Sequence, residues 1–246
     1  MAVSLILIGN ELLTGKRRDK HFVHMIEVLR ARDLELSQVT LIGDHASRIS
    51  AVLRHSLATQ DIVFCFGGIG STPDDRTRAA AASAAGVRLV RHRGAAAQIE
   101  AQFGPDAYPQ RIRMADLPEG CDLIPNPYNR VPGFSLGRHH FLPGFPQMAW
   151  PMVDWVLTER YPGLSGQTTI ERCVRVLDTR ESELVALQEA LLEQFPMIQL
   201  SSLPHLDATE RWVELGIKGE PAIVQRAFQE LLTALRGLEV RYHSLD

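Results

Sequence analysis

Short apolar runs alternate with segments of helical period through the first half of the chain. Val3 to Ile8, Leu36 to Ile42 and Ile62 to Phe66 have strand length. Phe22, Met25, Ile26 and Leu29, and again Ile49, Val52 and Leu53, recur at the spacing that places side chains on one helical face. Thr77 to Ala85 reads as a helix closed by Gly86, and Val87 to Val90 as a further strand. Strands and helices in this order predict a mostly parallel sheet covered on both faces, with ligands beyond the carboxyl ends of the strands. Three loops fall at that edge: Gly9 to Gly15, Gly43 to His45 and Gly67 to Asp75.

From Gly104 to Gly144 the helical pattern fades and Pro and Gly accumulate, which predicts rigid turns and short strands. His139-His140, ahead of an apolar stretch, reads as an edge pair. Met148 to Leu157 reads as a helix, and Tyr161-Pro162-Gly163 then breaks the chain. Beyond Gly166 the pattern gives a strand (Thr169 to Leu177), a helix (Glu181 to Gln194), strands around Ile198 and from Trp212 to Ile217, a helix (Pro221 to Arg236) and a last strand (Leu238 to Tyr242). Two domains are expected: residues 1–163, and a small α+β domain over residues 167–246.

Composition narrows the function classes. With 45% hydrophobic and 22% charged residues, the 246-residue chain has the make-up of a soluble globular protein. A formal net charge of -3 gives no bulk attraction for nucleic acid or an acidic membrane surface, and no segment is long enough to span a bilayer. The N-terminal apolar run lacks a basic lead-in and reads as a first strand rather than a signal peptide. Three widely spaced cysteines, Cys65, Cys121 and Cys173, form no metal-ligand or disulfide pattern. A cytoplasmic protein without nucleic-acid or membrane partners is expected.

The chemistry gathers at the sheet edge. Gly67-Gly68-Ile69-Gly70-Ser71 follows an apolar strand, and glycines let the backbone approach a phosphate whose charge is met by main-chain amides. A pair of aspartates beside such a loop can hold a divalent cation that bridges to the same phosphate. Asp74, Asp75, Glu11 and Asp44 are the acidic residues of the three loops, with Asp74 and Asp75 as catalytic candidates and Asp75, Asp74 and Asp44 as metal ligands. Asp75 has a second reading, since Thr72, Pro73 and Asp75 have the spacing of a capping box. Asp44 has one as the cap of the helix that follows it. Glu11 follows the first strand, and its carboxylate can accept two parallel donors. Thr14 is placed to shape the first turn, Thr77 to bond back into the glycine loop, and Asn126 and Arg130 to make polar ligand contacts.

Three segments, Gly9-Asn10-Glu11-Leu12-Leu13-Thr14-Gly15, the Gly67 to Thr77 loop, and Asn126-Pro127 through Pro132-Gly133-Phe134 to Leu142-Pro143-Gly144-Phe145-Pro146, resemble in order and spacing the molybdopterin-binding domain of the CinA-like family. The likeness covers roughly residues 3 to 158. It implies a three-layer α/β/α fold of the molybdenum-cofactor-biosynthesis type and a homo-oligomer. It also implies a nucleotide or pterin phosphate as ligand: molybdopterin bound or adenylated, or ADP-ribose hydrolysed with divalent metal, magnesium or manganese. Asp75 matches the Asp of the family's Asp-x-Thr element. The binding residues implied are Glu11, Thr14, Gly67, Gly68, Gly70, Ser71, Thr77 and Asn126. Longer bacterial members add a domain that deamidates nicotinamide mononucleotide, which is not expected within these residues. The chain departs from the family at Asp19-Lys20-His21, where Asn-Thr-Asn is usual, and at Ser71, where Pro is usual.

Overall fold

The computed structural model describes residues 2–206 and 211–245. They divide into two compact units, Met1–Ser165 and Gly166–Asp246.

In the first unit β1 (Val3–Ile8) leads through a one-turn helix α1 (Asn10–Leu13) to α2 (His21–Arg30). Then come β2 (Leu36–Ile42), α3 (Ala46–Leu57), β3 (Ile62–Phe66), α4 (Thr77–Ala85), β4 (Leu89–Arg91) and α5 (Arg93–Phe103). β5 (Asp116–Pro118), β6 (Asp122–Ile124), β7 (Gly133–Leu136), β8 (His139–Leu142) and α6 (Pro146–Glu159) complete it. The sheet runs β2-β1-β3-β8-β7-β6. Its first four strands are mutually parallel; β7 pairs antiparallel with β8, and β6 antiparallel with β7.

Strand alternation divides the core. Leu5, Leu7, Phe64 and Phe66 pack with Met25 and Leu29 of α2 and with Met152, Val153 and Val156 of α6. Ile6, Ile8, Val63 and Cys65 pack with Ile49 and Leu53 of α3, Ala80 and Ala81 of α4, and Ala95 and Ile99 of α5. Both sheet faces are thereby covered, and the fold is the expected three-layer α/β/α type.

Three expectations give way. The strand around Val87–Val90 forms as β4, but it pairs antiparallel with β5 outside the central sheet. Its Leu89 and Arg91 are exposed, so it lacks the two apolar faces that a central strand needs. His139 and His140 are no edge pair: β8 is an interior strand, and they are 2% and 0% exposed. His139 Nε2 meets Ser56 Oγ at 2.7 Å, and His140 bridges Ser135 Oγ and the Tyr161 hydroxyl, both at 2.8 Å. Burial lowers their pKa values to about 4 and about 3, so both imidazoles are neutral in the folded protein. The helix after the glycine loop spans Thr77–Ala85 and is followed by Gly86, as its pattern predicts, so what gives way is the capping-box reading that starts a helix at Thr72-Pro73.

The second unit comprises β9 (Ile170–Leu177), α7 (Val185–Gln194), β10 (Gln199–Leu206), β11 (Arg211–Gly219), α8 (Pro221–Gly237) and β12 (Tyr242–Ser244). They form an antiparallel sheet in the order β10-β11-β9-β12. Val174, Val176, Val213, Leu215 and Ile217 pack with Leu187 and Leu191 of α7 and with Val224, Phe228 and Leu231 of α8. The last strand begins four residues later than the apolar pattern suggests, because α8 runs to Gly237 and Leu238 closes it.

Candidate functional site

A cleft of about 1090 Å³ opens at the carboxyl ends of β1, β3 and β8. Its floor is the loop after β3. At Gly67, φ is +101° and a Cβ would lie 2.2 Å from the carbonyl oxygen of Ile8; at Gly68, φ is +67° and a Cβ would lie 2.3 Å from Thr77 Oγ1. Only glycine fits at either position.

The carbonyls of this loop are held from beneath. Thr77, fully buried, donates its hydroxyl to Gly67 O at 2.9 Å and its amide to Gly68 O at 3.0 Å. Arg78, 8% exposed, donates Nη2 to Gly70 O at 2.6 Å and Nη1 to the carbonyls of Arg113 and Asp116. In a trans peptide the N–H points opposite to the C=O of the same plane. Anchoring the carbonyls of residues 67, 68 and 70 on α4 therefore turns the amides of Gly68, Ile69 and Ser71 away from it, toward the cleft that these residues line. Among the described residues no protein group accepts from these amides. Burial is the main influence on Arg78 and lowers its pKa, while Asp75 and Asp116 favour the cation.

The loops after β1 and β2 are tied together. Asp44 Oδ2 accepts from the Asn10 amide at 2.8 Å and Asn10 Oδ1 accepts from the Asp44 amide at 3.2 Å. Asp44 thus caps α1 across the sheet edge and not the helix that follows it, whose N-cap His45 makes no side-chain capping bond. Glu11 lines the cleft half-buried, with its carboxylate folded over Gly9. Thr14 lies outside the cleft lining, and its hydroxyl returns to the carbonyl of Asn10 at 3.0 Å.

The acidic pair divides its roles. Asp75 Oδ2 accepts from the amide and the hydroxyl of Thr72, at 2.9 and 2.5 Å. One of the two capping-box bonds therefore exists, from the Thr72 amide to Asp75, while the Asp75 amide goes to the backbone carbonyl of Thr72 and not to its hydroxyl; together they close a turn ahead of α4. Asp74 lines the same wall, exposed. Among the described residues no group of three or more His, Cys, Asp or Glu side chains is placed to hold a metal ion. The protein's own contribution to a cation would be the adjacent carboxylates. That suits magnesium or manganese, which take their remaining oxygen ligands from water and substrate phosphates.

The opposite wall comes from α2 and the loop after β8. Asp19 accepts from the amides of His21 and Phe22, at 3.2 and 2.7 Å, and so starts α2. His21, 5% exposed, stacks on Phe66 with 4.1 Å between ring centroids, and its Nε2 meets Gly144 O at 3.2 Å. Burial lowers its pKa, against the hydrogen bond to Gly144, which raises it. Asn126 lines the cleft, but its amide nitrogen is bonded to Asn129 Oδ1 and Val131 O and its oxygen to the Tyr128 amide; its polar atoms build the turn.

Glu11, Asp44, Gly67, Gly68, Gly70, Ser71, Asp74, Asp75 and Asn126 thus line one cleft, whereas Thr14 and Thr77 do not. Arg78 is absent from the sequence reading, and His21 enters it only as a departure from the family pattern. An arginine directly ahead of the alanine-rich segment 79–85 was the available signal for the first; the second carried none beyond that departure.

The family model described as "Probable molybdopterin binding domain" matches residues 4–162. A CinA-like protein of Desulfovibrio desulfuricans is 29% identical over 245 residues, 96% of this chain and 57% of its own length. One of Desulfosudis oleivorans is 30% identical over 184 residues, 72% of this chain and 45% of its own. The chain spans about half the length of these curated relatives. The crystal structure of the protein CinA from Thermoplasma acidophilum superposes with a TM-score of 0.59 at 28% identity, covering 65% of this chain and 98% of that one. Among the described residues no helix is long and apolar enough to cross a membrane. With its three-layer fold, its three edge loops and a family match over residues 4–162, the chain belongs to the molybdopterin-binding-domain family that includes the CinA-like proteins.

Proposed function

We propose that the first unit binds a phosphorylated small molecule, a nucleotide or pterin phosphate, and hydrolyses a pyrophosphate such as ADP-ribose. The observation that carries the reading is the anchoring of the Gly67, Gly68 and Gly70 carbonyls on Thr77 and Arg78, which leaves three amides to meet anionic oxygens. A cleft of about 1090 Å³ also exceeds what a lone phosphate needs. Asp74 and Asp75 would hold a magnesium or manganese ion, which when bound supplies charge neutralisation on the phosphates. Thr72 fixes Oδ2 of Asp75, so that Oδ1 is the carboxylate oxygen left for a cation. Glu11, across the cleft, suits paired donors such as ribose hydroxyls or a pterin edge.

A second reading, a binding module without chemistry or an adenylyl-transfer domain for molybdopterin, is favoured by the want of a third metal-ligating side chain among the described residues. Titration with ADP-ribose, with and without magnesium, alongside phosphatase-coupled release of phosphate, separates them. Hydrolysis predicts magnesium-dependent turnover that Asp74→Ala with Asp75→Asn lowers by about a hundredfold or more while metal-free binding persists. Binding without turnover establishes the second reading, and wild-type protein that binds no phosphorylated ligand overturns both.

A further inference from the structure

We infer that Phe145, with Arg17 above it, is the stacking subsite for a planar fused heterocycle, purine or pterin, carried by the ligand whose phosphate the glycine loop holds. This rests on the phosphate-binding reading of the cleft and adds the part of the ligand that reading leaves unassigned.

Among the large apolar side chains that line the cleft, Phe145 alone is half exposed, at 50%. The exposure is imposed by its backbone. The carbonyl of Leu142 accepts from the Gly67 amide at 3.0 Å, that of Gly144 meets His21 Nε2, and that of Phe145 accepts from the amides of Met148 and Ala149. Pro146, at the first turn of α6, fixes the next φ. The ring is therefore held at the wall by a main chain that has no freedom to withdraw it, on a loop whose Gly144 packs against Gly67.

Arg17 supplies the other jaw. Its guanidinium carbon stands 5.9 Å from the Phe145 ring centroid, whereas the closed His21–Phe66 stack measures 4.1 Å. A ring in contact on both faces needs roughly 7 Å, two contacts of about 3.5 Å. The opening falls short by about 1 Å, within the reach of an exposed arginine side chain whose backbone amide is tied to Glu11 O at 3.1 Å. A guanidinium and a phenyl face hold a heterocycle by stacking and cation–π attraction without reading its edges.

Paired titrations test the subsite. AMP and neopterin monophosphate carry both ring and phosphate; ribose 5-phosphate carries the phosphate and sugar alone. Phe145→Ala is expected to weaken at least one ring-bearing probe by roughly tenfold and to leave ribose 5-phosphate within about twofold; the probe that weakens more names the heterocycle. Phe145→Trp restores the affinity. Unchanged binding of both ring-bearing probes in Phe145→Ala, or an equal loss for ribose 5-phosphate, overturns the subsite while the phosphate reading stands. Wild-type protein that binds none of the three overturns the phosphate reading, and the subsite with it.

Discussion

Two sets of buried polar groups sit at opposite ends of neighbouring strands. At the amino end of β8, buried His139 bonds to Ser56 and buried His140 to Ser135 and Tyr161, all of them side-chain partners away from the cleft. Beyond the carboxyl end of β3, Thr77 and Arg78 are equally buried, yet their partners are carbonyls of a loop that lines the cleft. Burying a polar group costs free energy unless it is fully paired. In the first set that requirement ends inside the protein. In the second it is met, at every donor except Arg78 Nε, by holding carbonyls, and peptide planarity transfers the consequence to amides on the surface. The same kind of interior network is thus structural in one place and organises a site in the other.

Removing Arg78 breaks this comparison most severely. Arg78→Met leaves three carbonyls without their donor, and a loss of about 3 kcal/mol or more is expected in urea unfolding. The affinity of the still-folded protein for ribose 5-phosphate should fall with it. Arg78→Lys should recover part of both. Lost stability with unaltered affinity would place Arg78 with the histidines, as a structural group only.

The histidine pair should be seen through pH. Each folded-state pKa, about 4 and about 3, lies below the unfolded value of 6.5, so the unfolded chain takes up protons first as pH falls. Stability contributed by the neutral rings is present above pH 6.5 and is lost on acidification toward the folded values. By pH 5 the loss relative to high pH is about 2 kcal/mol per histidine. Replacing the His140 network by apolar groups, His140→Phe with Ser135→Ala and Tyr161→Phe, should flatten part of that slope in denaturation at several pH values. An unchanged slope would mean that other groups set it.

The smallest effect is expected at Asp44. Loss of its bond to the Asn10 amide in Asp44→Ala should cost about 1 kcal/mol, the usual range for a helix cap. Melting curves and the magnesium dependence of ligand binding, measured on the same variant, show whether the carboxylate does more than clamp two loops.

The sequence reveals the site's outline better than its support. The three edge loops are legible because each follows an apolar strand and carries glycine or helix-starting residues, which are local signals. Arg78 is hidden because a charged residue in a first helical turn usually lies in solvent; only the approach of residues 113 and 116 buries it. The histidines of β8 are misread for a related reason. An interior strand here carries polar side chains because the partners that satisfy them come from positions 56, 135 and 161. The capping spacing at Thr72 is read correctly as chemistry but assigned to the wrong turn, since the bond between Thr77 N and Gly68 O delays α4.

Because the proposed grip would be made by main chain, side chains at the floor have latitude to drift, with one asymmetry. Position 71 can offer an N–H only where proline is absent, and this chain has serine there. A single codon therefore decides whether the floor presents three donors or two, an adjustment of anion affinity that leaves the glycines, the helix and the acidic pair untouched.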